Sequence, residues 1–161
     1  EPEAPAPATE GEIFAGWYTA ETEGELFDSF GTVGAIAATG TVNLYARFGE
    51  AYYVFYMDGT GDDARVIHTE PYAGTATAEI SSAYPIVSTQ VGYANTGWSE
   101  KKGGEAAVTS LAMNEQDHTL YPIIKSGCWL RFDSQGGTSV DSQFVISDTY
   151  SVEPADPTMA G

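Results

Sequence analysis

The chain has 161 residues, 42% of them hydrophobic and 12% aromatic. That is enough apolar surface for a packed core and too much for a disordered chain. Its formal charge of −17 repels phosphate backbones and anionic lipid, which excludes nucleic acid and membrane surfaces as partners. The length suits one large domain or two small ones of about 80 residues.

Residues 1–12, EPEAPAPATEGE, read as an extended Pro/Ala/Glu linker leading into folded material. FAGWYT follows from Phe14, and the glycine-bearing GTVGAIAATG (31–40) reads as loop or strand. GTVNLYARF (40–48) alternates Val42, Leu44, Ala46 and Phe48 on one face, and AYYVFYMDG is an aromatic strand stopped by the turn pair Asp58-Gly59. Two segments have a weak helical reading: TATAEISSAYP (75–85) as two turns before Pro85, and SLAMNEQD (110–117) as one or two. DHTLYPIIK (117–125) is a strand whose Pro122 predicts an edge or a bulge. WLRFDSQGG, ending at Gly136-Gly137, and SVDSQFVIS (139–147) pair as a hairpin; SVEPADPTMAG closes the chain with the composition of its start.

The chain repeats itself. Trp17 and Trp98 are 81 positions apart, Leu44 and Leu120 are 76, and Phe55 and Phe132 are 77. A period of about 80 exceeds that of short solenoid repeats, so each unit is expected to own a core. Residues 13–49 read as the later half of a repeat, 50–126 as a complete one, and 127–161 as the earlier half of a further one. Neither half can bury its apolar face alone. The halves either pair within the chain, the arrangement favoured, or associate head to tail with neighbouring chains.

Phe132-Asp133, Gly136-Gly137, Pro154 to Thr158, Gly16-Trp17-Tyr18-Thr19 and Val42 to Ala46 resemble the motifs of the Listeria–Bacteroides repeat, the InlB B-repeat type of module. The middle repeat keeps Asp58-Gly59, Gly97-Trp98 and Leu120-Tyr121 but lacks the Pro-x-x-Pro-Thr segment. The resemblance implies an α+β, β-rich fold of small ubiquitin-like β-grasp units in tandem. It also implies a place on the surface or in the wall of a bacterium, and a stalk or adhesive role. A β-grasp unit bears load when parallel terminal strands shear together.

Gly16, Trp17, Leu44, Phe55, Gly97, Trp98, Leu120 and Phe132 are therefore expected as repeated core positions. Each Trp supplies a large apolar area, and the Gly beside it a close backbone approach. The alternative for Trp17, Trp98 and Trp129 is a sugar-stacking face. Asp58, Asp62 and Asp63 in DGTGDD are candidate Ca²⁺ ligands, but their spacing is not that of an EF-hand, and the corresponding DSQGG carries one acid. A solvated turn is the simpler reading. The lone Cys128 cannot form an intrachain disulfide and is expected as a buried strand residue. His68 and His118 sit in no ligand motif, and neither a nucleophile elbow nor a phosphate loop occurs. The expectation is a non-catalytic extracellular module without cofactor or metal. The runner-up is a ligand-binding module, which recognises a glycan or a host or neighbouring-cell surface protein through exposed aromatics or an edge strand.

Overall fold

The computed structural model describes residues 3–7, 9–27 and 41–159. The described elements are eight strands: β1 (Glu12–Tyr18), β2 (Tyr45–Met57), β3 (Val66–Ala73), β4 (Thr77–Glu79), β5 (Tyr93–Ser99), β6 (Ser110–Ala112), β7 (His118–Leu130) and β8 (Gln143–Ile146). No helix occurs among the described residues, so the fold there is all-β and the expected α+β, β-grasp class is overturned. A β-grasp sheet needs a helix to hold. The segment 31–40 lies outside the described residues.

Both segments given a weak helical reading contain strands, and they pair with each other. Thr77, Ala78 and Glu79 lie antiparallel to Ala112, Leu111 and Ser110. Burial explains the correction. Ala78 and Ile80 are buried around exposed Glu79, and Leu111 and Met113 around exposed Ala112. That is period two, which a strand satisfies and a helix does not.

The chain divides into two compact units. The first comprises Glu1–Phe55, His68–Ile80 and Ser110–Thr119; the second comprises Tyr56–Ile67, Ser81–Thr109 and Leu120–Gly161. The sequence-drawn halves 13–49 and 127–161 thus belong to different units. In the first unit β1 pairs with β2, β3 with β2, and β4 with β6; its core includes Val54, Ala73, Ala78, Leu111 and Met113. In the second, β5 and β8 both pair with β7, and the core includes Tyr56, Val87, Trp98, Leu120 and Ile123. The pairs β1–β2, β4–β6, β5–β7 and β7–β8 are antiparallel.

The two units repeat one hydrogen-bonding scheme. In the first, Glu12 stands opposite Glu50, Phe14 opposite Phe48, Trp17 opposite Ala46 and Tyr18 opposite Tyr45. In the second, Tyr93 stands opposite Ser126, Asn95 opposite Ile124, Trp98 opposite Pro122 and Ser99 opposite Tyr121. Every Gly-Trp strand position recurs 81 residues later, and every position of its partner strand 76 later. Each Gly-Trp strand carries one extra residue, between Phe14 and Gly16 and between Asn95 and Trp98. This bulge reverses the alternation of side chains. Trp17 therefore joins Phe14 and Phe48 on one face, with Phe14 edge-on to both at 5.5 and 6.0 Å. Pro122, which has no amide hydrogen, sits across from the second bulge.

The bonds around these strands recur as well. Ala51 and Gly127 donate their amides to the carbonyls of Gly11 and Gly92 at 3.1 and 2.8 Å. Those glycines have φ of +86° and +85°. Phe27 and Val108 donate to the carbonyls of Trp17 and Trp98 at 2.7 and 2.8 Å.

β2 and β7 are each 13 residues long. Each fuses two segments read from sequence as separate strands, so the junctions at 49/50 and 126/127 fall inside continuous strands. At its far end β2 stops where Asp58 and Arg65 close the turn, by Asp58 N–H to the Arg65 carbonyl at 2.9 Å and Arg65 N–H to Asp58 Oδ1 at 2.8 Å.

The left-handed glycines give a direct check. Replacing Gly92 or Gly11 by Ala puts a Cβ on a positive-φ residue and should cost about 1–2 kcal/mol each, read from urea unfolding midpoints. Gly59→Ala, at an open position without a positive φ, should change stability little.

Candidate functional site

Trp98 shows how the second unit builds its surface from its core. The indole is 0% exposed and meets Tyr56 edge-on at 4.9 Å. Enclosing it contributes about 4–6 kcal/mol of transfer free energy. Its N–H donates to the Tyr84 carbonyl at 3.1 Å, which ties the 81–92 loop to the unit. That loop is extended: Pro85 and Val87 point inward and Ile86 outward. Thr89 closes it by donating its hydroxyl to the Tyr93 carbonyl at 2.7 Å.

Between this loop and β7 lies a groove of about 490 Å³, with Trp129 on one wall, Pro85, Ile86 and Val87 on another, and Ala94 and Asn95 of β5 along it. Trp129 is 55% exposed and leans on Phe144 of β8 at 5.3 Å. Ser82 and Thr89 bring hydroxyls. Asn95, beside the bulge, uses its Oδ1 to accept from Gly97 N–H at 3.2 Å and Ile123 N–H at 3.1 Å, and its buried Nδ2 has no partner among the described residues. In a chain of charge −17, the described lining contains no Asp, Glu, Lys, Arg or His. A flat indole beside neutral hydroxyl and amide groups suits an uncharged ligand with one apolar face.

The other residues singled out in the sequence are distributed differently. Gly97, Trp98 and Leu120 are buried; Gly16, Trp17, Leu44, Phe55 and Phe132 are half-buried. Phe132 lies just beyond the end of β7 at Leu130; carrying the 76-residue offset of the paired strands forward aligns it with Tyr56 rather than Phe55. Asp58 caps its turn, while exposed Asp62 lies 3.3 Å from Lys102. No cluster of three His, Cys, Asp or Glu able to hold a metal ion, with or without Asp63, occurs among the described residues. Cys128 lies on β7 but is exposed, not buried; strand alternation turns it outward. His118 sits 3.3 Å from the Met113 carbonyl.

On β3 the alternating residues His68, Glu70 and Tyr72 form a polar ladder. Nε2 of His68 lies 3.1 Å from Glu70 Oε1, and the Tyr72 hydroxyl donates to Glu70 Oε2 at 2.9 Å. Burial, then the bond to Glu70 and the charges of Glu70 and Glu79, push the Tyr72 phenol up to about 12. The unfolded chain loses this proton near 10.0 while the folded one keeps it to about 12. The stabilisation is complete below 10 and is lost as pH rises through that window. Thermal midpoints should therefore fall from pH 10 to 12, and Tyr72→Phe should flatten the slope.

The groove and the ladder carried little sequence signal. Asn95 is one polar residue in a strand, and its role follows from the bulge. Pro85 and Thr89 keep the spacing of Pro154 and Thr158, but Ser88 stands where Pro157 does, so the middle repeat lacks the second proline of the Pro-x-x-Pro-Thr segment.

Residues 1–47 match the family model of the Listeria-Bacteroides repeat domain, a bacterial surface repeat. The match identifies the repeat module expected from the motifs over those residues. No solved structure matches the chain.

Proposed function

We infer that this chain is a non-catalytic, extracellular repeat module of a bacterial cell-surface protein, which acts as a spacer and contributes to adhesion. The observation that carries this reading is the duplicated register, in which one long strand serves two consecutive sequence repeats. β2 takes its first half from the repeat ending at 49 and its second from the repeat beginning at 50; β7 does the same at 126/127. A spacer built this way has no flexible linker at either junction, because backbone hydrogen bonds run through it. Chains fused in series test the spacer role. Their largest dimension in solution X-ray scattering should grow in proportion to the number fused; growth as the cube root, the mark of a collapsed globule, would remove it.

The uncharged groove favours a second reading, recognition of a neutral saccharide. The ring C–H face would stack on Trp129, and hydroxyls would engage Ser82, Thr89 and Asn95. Glycan arrays and titrations with neutral tri- and tetrasaccharides should show binding that Trp129→Ala weakens at least about tenfold. Capture of a surface protein by the chain, undiminished in that variant, would assign adhesion to another face.

A further inference from the structure

The groove beside Trp129 opens into a second cavity. Three of its lining residues, Val87, Thr89 and Tyr93, also line a cavity of about 280 Å³, which Asp58, Ser88, Gln90 and Ile124 complete. Both lie within the second unit and share a wall, so they form one track. Two exposed aromatic rings stand on it: Trp129, 55% exposed, in the groove, and Tyr93, 46% exposed, at the join. Tyr93 stands opposite Ser126, three residues before Trp129. The rise of a strand puts those two positions about 10 Å apart along β7. A ligand that reaches both rings is a chain of rings rather than a single one.

The second cavity suits the same ligand class as the groove. Ser88 and Gln90 are exposed, and each offers a donor and an acceptor. Thr89 gives its hydroxyl hydrogen to the Tyr93 carbonyl, which leaves its oxygen as an acceptor at the join. Asp58 is the only carboxylate lining either cavity among the described residues. Its Oδ1 takes the Arg65 amide, which holds the group where it accepts hydroxyl hydrogens and repels an anion. An extended peptide fits less well, because it binds by adding backbone hydrogen bonds to a free strand edge. The outer edge of β5 is taken at both ends. Tyr93 donates its amide to the Gln90 carbonyl and accepts the Thr89 hydroxyl, and the Trp98 carbonyl takes the Val108 amide.

We propose that this track holds a neutral oligosaccharide longer than a disaccharide, with one ring on Trp129 and a later ring on Tyr93. The inference rests on the saccharide reading of the groove and extends it from a ring to a chain. The second cavity makes affinity depend on ligand length, and Tyr93 sets that dependence.

Isothermal titration of the whole chain with neutral oligomers of glucose, galactose, mannose and N-acetylglucosamine, as disaccharides and as tetrasaccharides, provides the test. A tetrasaccharide should bind at least about tenfold more tightly than its own disaccharide. Tyr93→Ala should bring the tetrasaccharide down to the affinity of the disaccharide, whereas Trp129→Ala should weaken both lengths. Where circular dichroism shows that Tyr93→Ala has lost its strands, Gln90→Ala, which alters the second cavity alone, replaces it and should reduce the same advantage. Equal affinity for the two lengths overturns the proposal and leaves the saccharide reading of the groove standing. Binding to none of the oligomers overturns both. So does a preference for acidic tetrasaccharides, or binding of a Val- and Ile-rich peptide in place of every saccharide.

Discussion

The structure depends on a single extra residue in each Gly-Trp strand. An unbulged strand would carry Trp98 on the face of Ala94; the bulge moves it to that of Asn95, opposite Pro122. The interruption of the ladder is local, and the backbone around it stays satisfied. Asn95 Oδ1 takes two amide hydrogens beside the bulge, and the Gly92 carbonyl takes that of Gly127. Glycine at 92 makes this last bond accessible because its left-handed φ costs no Cβ clash. Local backbone chemistry thus decides which face of the strand becomes core.

From that choice follow the long strands. The strands that receive a Gly-Trp strand, β2 and β7, continue past it to meet β3 and β8. A repeat boundary drawn from sequence similarity therefore falls where hydrogen bonding is continuous. Sequence repeats and compact units are out of phase, and a unit contains pieces of two repeats.

The anchors were legible in the sequence because they are large and repeat. Trp17 with Trp98 and Leu44 with Leu120 give the offsets of 81 and 76 that the hydrogen bonds follow. Three things were not legible. The landmark pairing Phe55 with Phe132 stands one residue off the 76-residue offset of the paired strands, and an aromatic-rich strand such as YYVFY looks apolar on both faces and does not declare which residues point inward. The short strands β4 and β6 lay in small-residue segments, where three residues are too few to distinguish period two from a helical turn. The groove depends on Asn95, Pro85 and Trp129, which are distant in sequence and brought together by the bulge and by the bond from Trp98 to Tyr84.

Net charge and exposed apolar side chains act on association with opposite sign. Exposed apolar faces and free strand edges are general liabilities, since any similar face is a partner. A charge of −17 on a chain of 161 residues opposes every encounter between copies alike, whatever its geometry. Only a contact that buries much apolar area and satisfies its polar groups exceeds that repulsion. The pairing already realised between Tyr56 and Trp98 meets both conditions, with an edge-on ring contact and a received indole N–H.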